Sequence, residues 1–113
     1  MSGKEPTIVD GKMTVDRDPD EISYYGADIT QELLDRNTTA DSDRLMLDLV
    51  GVDKLQGPDI QVVSAAGVSR TYVVVMLGPI DGALPTDWRW TARVTCMNGE
   101  RFDKTTWFRK VDT

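Results

Sequence analysis

A strict alternation of apolar and polar residues near the C-terminal end is the clearest pattern in the chain. Its apolar positions are Trp88, Trp90, Ala92, Val94 and Cys96, and its polar positions are Arg89, Thr91, Arg93 and Thr95. Successive side chains of a β-strand point to opposite faces, so this period of two predicts a strand with one buried face. Asn98-Gly99 then supplies the signal of a two-residue type I′ turn into a final strand over residues 101–111.

That register has a consequence for the final strand. It sets Trp90 opposite Trp107, places Arg109 on the inner face and points Phe108 to water. A β-bulge adds one residue to one strand and so reverses the faces beyond it. We therefore expect a bulge near Trp107-Phe108.

Shorter apolar runs continue the β pattern upstream. Residues 70–77 are rich in β-branched residues and apolar on both faces, which predicts a central strand covered on two sides. Residues 22–27 and 60–63 are further predicted strands. Predicted turns and loops occupy residues 56–59, 66–67 and 78–87, where Gly and Pro are concentrated.

The region before residue 51 contains one predicted helical turn and one ambiguous segment. Asp28 and Gln31 have the spacing of a capping box that opens a short helix through Leu33-Leu34. Leu45, Leu47 and Leu49 share one face at period two, which indicates a half-buried strand. Leucine also favours a helix, but the segment is shorter than the ten to twelve residues typical of one. Together the elements predict an all-β, two-layer antiparallel sandwich with one short helical turn.

Residues 1–22 differ from the rest and predict an extended N-terminal arm, which leaves residues 23–113 as the sandwich domain. Ile8, Val9, Met13 and Val15 are β-prone, and acids including Asp18 and Asp20 follow them. Such pieces add to a sheet edge of this molecule or of a neighbour. A frayed terminus is the alternative interpretation.

Composition narrows the classes of function. The 113 residues suit one domain, and the net charge of -6 disfavours nucleic acid as a partner. The chain has no histidine and one cysteine, which argues against a disulfide, a Cys-based zinc site and His-dependent catalysis. No run of apolar residues reaches the length of a membrane span. We expect a soluble, non-enzymatic protein without a cofactor, made in a cytoplasm.

Three groups of residues have both a functional and a structural interpretation. For Trp88 and Trp90, the functional interpretation is a stacking platform for sugars or bases, and the structural one is core packing. For the acids of residues 16–21 and 41–43, the functional interpretation is chelation of a hard cation, and the structural one is a solvated loop. For the basic residues near the C-terminus, the functional interpretation is a ring contact with the acidic arm of a neighbouring subunit, and the structural one is protection of an edge strand. These basic residues are Arg89, Arg93, Lys104, Arg109 and Lys110.

The chain resembles a family of small tailed-phage virion proteins called fibre-tail adaptors. The resemblance covers roughly residues 16–111 and is carried by Asp18-Pro19-Asp20 before Tyr24-Tyr25, by Trp90-Thr91-Ala92-Arg93-Val94-Thr95, and by Asn98-Gly99-Glu100-Arg101 before Trp107-Phe108-Arg109-Lys110-Val111. It implies an Ig-like sandwich in a virion. The family usually has a tryptophan near the helical insert, where this chain has Gln31-Glu32-Leu33-Leu34.

Membership of that family would make the protein a multi-copy structural adaptor of a phage neck or tail. Its partners would be other virion proteins of the tail, the portal or neck ring, or a fibre. Its interface would comprise the arm and the basic strands, namely Ile8, Val9, Met13, Val15, Asp18, Asp20, Arg89, Arg93, Lys104, Arg109 and Lys110. A free module that binds a small ligand or carbohydrate through Trp88, Trp90 and Trp107 is the second hypothesis. A histidine-free enzyme that works through carboxylates is the third.

Overall fold

Eight strands, one α-helix and one 3₁₀ turn follow each other along the described part of the chain. The structure is a computed structural model and describes residues 7–9, 12–17, 21–80 and 88–110. Its strands are β1 Thr7–Val9, β2 Lys12–Arg17, β3 Ser23–Asp28, β4 Met46–Val50, β5 Val52–Ala65, β6 Val68–Ile80, β7 Arg89–Thr95 and β8 Arg101–Lys110. The helix α1 spans Thr30–Asp35, and the 3₁₀ turn spans Ser42–Arg44.

The strands form two sheets. One has five strands in the order β1-β2-β8-β7-β4, and the other has three in the order β3-β6-β5. All strand pairs are antiparallel except β2 with β8, which is parallel. The predicted all-β, two-layer sandwich is confirmed. No helix in the described ranges is long and apolar enough to cross a membrane.

The core lies between the two sheets and follows the alternation in the sequence. The five apolar positions of the β7 segment, residues 88, 90, 92, 94 and 96, are all buried. From the other sheet, Val73, Val75 and Leu77 of β6 point into the same cluster. Tyr72 and Val74 on the opposite side of β6 are buried as well, as expected of a central strand.

The β7–β8 turn differs from the prediction by one residue. Cys96 and Glu100 are joined by a backbone hydrogen bond of 2.7 Å, so the loop has three residues and ends on Gly99 at a φ of 91°. This is the three-residue hairpin whose last residue is left-handed. Trp90 therefore pairs with Thr106, and Phe108 is buried without a bulge in β8. The extra residue that the prediction placed near Trp107-Phe108 lies in the turn.

The predicted turn at residues 56–59 is also wrong, because β5 runs through it. Pairing of β5 with β6 shifts register between Val52 and Asp59, and the Gly57-Pro58 peptide bond is cis. Glycine and proline here form an irregular, bulged stretch of an edge strand, which is one of the places where a sheet tolerates them. Similarly, β6 extends through Ile80, the first three residues of the predicted 78–87 loop, while residues 81–87 lie outside the described ranges.

We expect Gly57→Ala to destabilise the protein by more than about 1 kcal/mol, since Gly57 combines a positive φ with a close backbone contact. Its φ is 92°, and a Cβ there would meet the Val74 carbonyl oxygen at 3.0 Å. Gly67→Ala is the matched control, because its φ is 79° with no atom within 4 Å of the added Cβ. Urea unfolding should show a larger loss at position 57, and equal losses would contradict the steric argument.

The predicted strand near Leu47 is confirmed, and the predicted helix is present but begins without the predicted capping box. Leu45, Leu47 and Leu49 are half-buried on one face and pack against the core, which confirms a strand over a helix. The helix α1 exists but has no capping box, because its N-cap is Ile29 without a side-chain hydrogen bond. Asp28 accepts instead from the backbone N–H of Thr30 at 2.9 Å.

Candidate interaction surfaces

Four of the six predicted N-terminal interface residues lie in this molecule's own sheet. Ile8 and Val9 lie on β1, and Met13 and Val15 lie on β2, while Asp18 and Asp20 lie outside the described residues. The strand β2 adds in parallel to this chain's own β8. Of the two sheet edges that the sequence left open, the structure therefore uses this molecule's.

Val15 was predicted as an interface residue, but the structure places it in the core. Its side chain is 5% exposed and belongs to the hydrophobic cluster between the sheets. Because β2 completes the five-stranded sheet, the inward face of this strand packs on the core rather than on a neighbour. A β-prone terminal segment can pair in either way, so the sequence did not decide between them.

Arg17 is the buried charge that sequence reasoning missed. Its side chain is 1% exposed, and Nη2 donates to the carbonyl oxygens of Glu21 at 2.7 Å, of Leu77 at 3.4 Å and of Gly78. The alternation that buries Val15 places Arg17 on the same face, and this was the available signal. The run of acids around Arg17 hid it.

The Arg17 guanidinium lies against two aromatic rings that contact each other edge to face. Its carbon lies 5.0 Å from the centre of the Tyr25 ring and 4.9 Å from that of Phe108. Burial lowers the pKa of Arg17, although the Tyr25 hydroxyl and Glu21 oppose that shift. Nε and Nη1 have no hydrogen-bond partner in the described part of the structure. Arg17 therefore fastens β2 across the sandwich at a substantial desolvation cost.

The predicted basic stripe is divided between two faces. Arg93 is exposed on the outer face of β7 and lies 3.5 Å from Asp48, and Arg89 is half-buried on the same face. Lys104 pairs with Ala92 across the strands, so it shares the inner face and donates to Glu32 of α1 at 2.6 Å. Arg109 and Lys110 lie on β8, where only the backbone is described.

The three indoles do not form an exposed platform. Trp88 is 8% exposed and Trp90 is 0% exposed, whereas Trp107 is half-buried on the outer face of β8. Burial raises the pKa of the Cys96 thiol, which continues the Trp88 and Trp90 face as a small buried side chain. The core interpretation of these tryptophans fits the structure.

The acids of residues 41–43 cap the 3₁₀ turn. Asp41 accepts from the backbone N–H of Asp43 at 3.0 Å and from Arg44 Nε at 2.7 Å, and these bonds hold the pKa of Asp41 below its usual value. Across the described ranges, three or more potential metal-ligating side chains nowhere come close enough to hold an ion. Asp18 and Asp20 of the other acidic group lie outside those ranges.

Asp28 fastens the start of α1 to β6. Its carboxylate accepts from Arg70 Nη1 at 2.9 Å as well as from Thr30, and Thr30 Oγ1 accepts the backbone N–H of Thr71 at 2.8 Å. Burial acts to raise the pKa of Asp28, but the hydrogen bonds from Thr30 and Arg70 outweigh it and lower the pKa. On the N-terminal side of Tyr72, β6 pairs with β5 alone among the described strands.

We expect Asp28→Asn to cost about 1 kcal/mol of stability at pH 7, as the charged bond to Arg70 is lost. The lowered folded-state pKa means that the carboxylate stabilises the fold above its unfolded pKa of about 3.9 and loses that effect as pH falls through the folded value. The difference from the native chain should therefore shrink near about pH 3. Urea unfolding at both pH values measures it, with exposed Asp53→Asn as the control. A constant difference would contradict this.

A two-stranded finger projects beyond the third strand of the smaller sheet. We define the finger as residues 60–71, in which the end of β5 and the start of β6 are joined by the Ala66-Gly67 turn. The predicted turn is confirmed, with φ of 51° and 79° at its two residues. Strand β3 pairs with β6 only as far as Tyr72, so in the described structure residues 68–71 have β5 as their only strand neighbour.

The finger is largely exposed and, apart from Arg70 at its base, uncharged. Residues 62–70 are all exposed, including Val62 at 65%, Val63 at 38% and Val68 at 56%. Residues 60–69 contain no charged side chain, although 28% of the chain is charged. Val62 and Val63 point to opposite faces because they are successive in a strand. The finger therefore presents apolar side chains to solvent on both faces.

A groove on the five-stranded sheet is a second candidate surface. It has a volume of about 360 Å³ and is lined by Arg44, Met46, Arg93, Val94, Thr95, Arg101, Phe102 and Asp103. Arg44 and Arg93 already pair with Asp41 and Asp48. Because two of its cations are partly neutralised, the groove is a weaker candidate for binding an anion than the finger, with its exposed valines, is for binding an apolar partner.

The chain matches no known protein family, no curated protein and no solved structure in the comparisons made with them. The resemblance to fibre-tail adaptors therefore rests on the sequence pattern alone.

Proposed function

We propose that this protein is a non-enzymatic structural adaptor of a bacteriophage virion, at the neck, the tail or a fibre attachment. It is made in the bacterial cytoplasm and works by binding neighbouring protein subunits in a symmetric, multi-copy assembly. The sandwich supplies a rigid body, and the finger supplies the contact. The single observation that carries the proposal is the exposed finger, which is uncharged over residues 60–69.

The finger supports a binding role because it has the features of a protein contact and lacks those of a free surface. An isolated two-stranded hairpin is marginally stable in water, and exposed apolar strand edges tend to aggregate unless they are charged, bulged or covered. Residues 60–69 carry no charge, and β5 pairs regularly with β6 there. A subunit that covers the finger in the assembly removes this liability.

The order of the strands supports an Ig-like assignment, which is part of the proposal. The order β4-β7-β8 corresponds to strands C, F and G of an Ig domain, and β3-β6-β5 corresponds to B, E and D. On this assignment the finger is the hairpin between strands D and E.

The two alternative functions have less support. A ligand module that uses three indoles loses Trp88 and Trp90 to the core. For a carboxylate enzyme, Asp28 and Asp41 are each in an ion pair, with Arg70 and Arg44 respectively, which stabilises their charged forms rather than preparing a proton donor.

Native mass spectrometry of the full chain, alone and mixed with the products of its neighbouring genes, tests the proposal. We expect a defined complex that contains several copies of this chain and at least one other product. The double variant Val62→Lys/Val63→Lys, which places a charge on each face of the finger, should lose that complex. Met46→Lys is the matched control, since Met46 is 63% exposed on the other sheet.

A chain that stays free in every mixture contradicts the adaptor role. A complex that tolerates the double variant but not Met46→Lys contradicts the assignment of the contact to the finger. Circular dichroism of each variant verifies that the sandwich has formed.

A further inference from the structure

The two halves of β5 differ in how they protect the sheet edge. Within the described strands, β5 is an edge strand, since β6 is its only sheet partner. Its first half carries Asp53, Lys54 and Asp59, the register shifts and Pro58. Charges, bulges and proline are the devices by which proteins keep an edge strand from pairing with another chain.

The second half of β5 has none of these devices. Residues 60–65 pair with residues 68–73 of β6 one to one, so their outer backbone edge is straight. They contain no charge and no proline, and residues 62–65 are all exposed. The charges, register shifts and proline therefore end where the finger begins. The outer edge of residues 60–65 pairs with no other described strand and has the length of an ordinary strand.

The opposite edge of the finger is shorter and partly occupied. The backbone N–H of Ile29 donates to the Thr71 carbonyl at 2.9 Å, and Thr71 N–H donates to Thr30 Oγ1. Arg70 is held by Asp28. Only residues 68–70 remain for another strand, so a head-to-tail contact of β5 on β6 would be short. The longest contact joins two β5 edges.

We propose that residues 60–65 pair antiparallel with the same stretch of a second copy of this chain, across a twofold axis that passes through Val62 or Val63. The two three-stranded sheets then become one continuous sheet of six strands. This inference rests on the proposed function, because it names the partner of the same finger.

Charge locates a contact between two copies at the finger. Two chains that each carry a net charge of -6 repel one another over most of their surfaces. The finger is uncharged over residues 60–69, so two fingers meet without like-charge contact. A twofold contact is self-complementary by symmetry, and it places valines of the two copies side by side.

Sedimentation velocity of the full chain over a range of concentrations, with dissociation constants from the fits, tests this pairing. We expect a monomer–dimer equilibrium. Val63→Lys, on the β5 edge, should weaken the dimer by about tenfold or more. Val68→Lys is the matched control, because it adds the same charge to the same finger on the other strand, and it should change the constant by less than about threefold.

Disulfide cross-linking provides a second measurement. In a Cys96→Ala background, the cysteine that lies on the axis, introduced by Val62→Cys or by Val63→Cys, should give a disulfide-linked dimer on mild oxidation. It directly opposes its own copy, and such residues of antiparallel strands have Cα atoms about 4.5–5.5 Å apart. Val68→Cys should remain monomeric under the same conditions.

A chain that is monomeric at all concentrations, a closed ring of more than two copies, or equal effects of Val63→Lys and Val68→Lys would each overturn the pairing. These outcomes are separable from failure of the adaptor role. A complex with neighbouring gene products that depends on Val68 as much as on Val63 would leave the adaptor role standing and remove the twofold contact.

Discussion

Replacing Trp90 with alanine should lower the free energy of unfolding by about 3–5 kcal/mol, a large share of the total stability of a small domain. Trp90 is 0% exposed and sits at the centre of the cluster between the two sheets. Deleting the indole removes its buried apolar surface and leaves a cavity that the strands cannot fill by relaxing. Urea unfolding followed by circular dichroism measures the loss.

Two further variants separate burial from residue type. Trp107→Ala removes the same side chain from the outer face of β8, where it is half-buried, and should cost about 1 kcal/mol. Trp90→Phe should cost much less than Trp90→Ala, because an aromatic ring remains and the indole N–H, which has no hydrogen-bond partner among the described residues, is removed. Equal losses for Trp90→Ala and Trp107→Ala would contradict the placement of the core.

Arg17→Ala should destabilise the fold by about 2–4 kcal/mol, whereas Arg17→Met should remain within about 1 kcal/mol of the native protein or exceed it. The alanine leaves a cavity beside the rings of Tyr25 and Phe108, which contact each other edge to face and both lie against the guanidinium. Methionine fills most of that cavity without placing a charge in the core. Replacement of a buried ion by an apolar side chain of similar volume is often neutral or stabilising.

The comparison of the two Arg17 variants by urea unfolding tests which property holds β2 in place. If methionine is as destabilising as alanine, the hydrogen bonds to Glu21 and to the carbonyls of β6 dominate, and the packing argument is wrong. If both variants are neutral, β2 is not fastened through this side chain.

Much of the sandwich could be predicted because β7 and β6 follow simple rules. A strict period of two placed Trp90 and Val94 inside, and β-branched residues on both faces placed Val73 and Val74 in a central strand. Both depend on local pattern alone. The half-buried strand at Leu47 was predictable for the same reason.

The turns were less predictable because one residue type serves several geometries. Asn98-Gly99 suits a two-residue turn and also the three-residue loop in which Gly99 is left-handed, and only the pairing of Thr106 with Trp90 separates them. Gly57-Pro58 suits a turn and also an irregular edge strand. In each case contacts distant in the sequence decide the outcome.

The candidate site was predictable only in part. The sequence singled out the arm and the basic strands, but it did not single out residues 60–71, because an apolar strand gives the same pattern whether or not it is covered. Exposure of Val62 and Val68 depends on where β3 ends, which is a property of the whole sheet. A ten-residue stretch without charge was the signal available in the sequence.

Hydrogen–deuterium exchange of the dilute chain and of the assembled complex tests whether the finger is the surface that neighbouring subunits cover. We expect fast exchange across residues 60–70 in the dilute chain, slow exchange there in the complex, and slow exchange of residues 89–95 in both. A finger that is already protected in the dilute chain, or that stays fast in the complex, would contradict it.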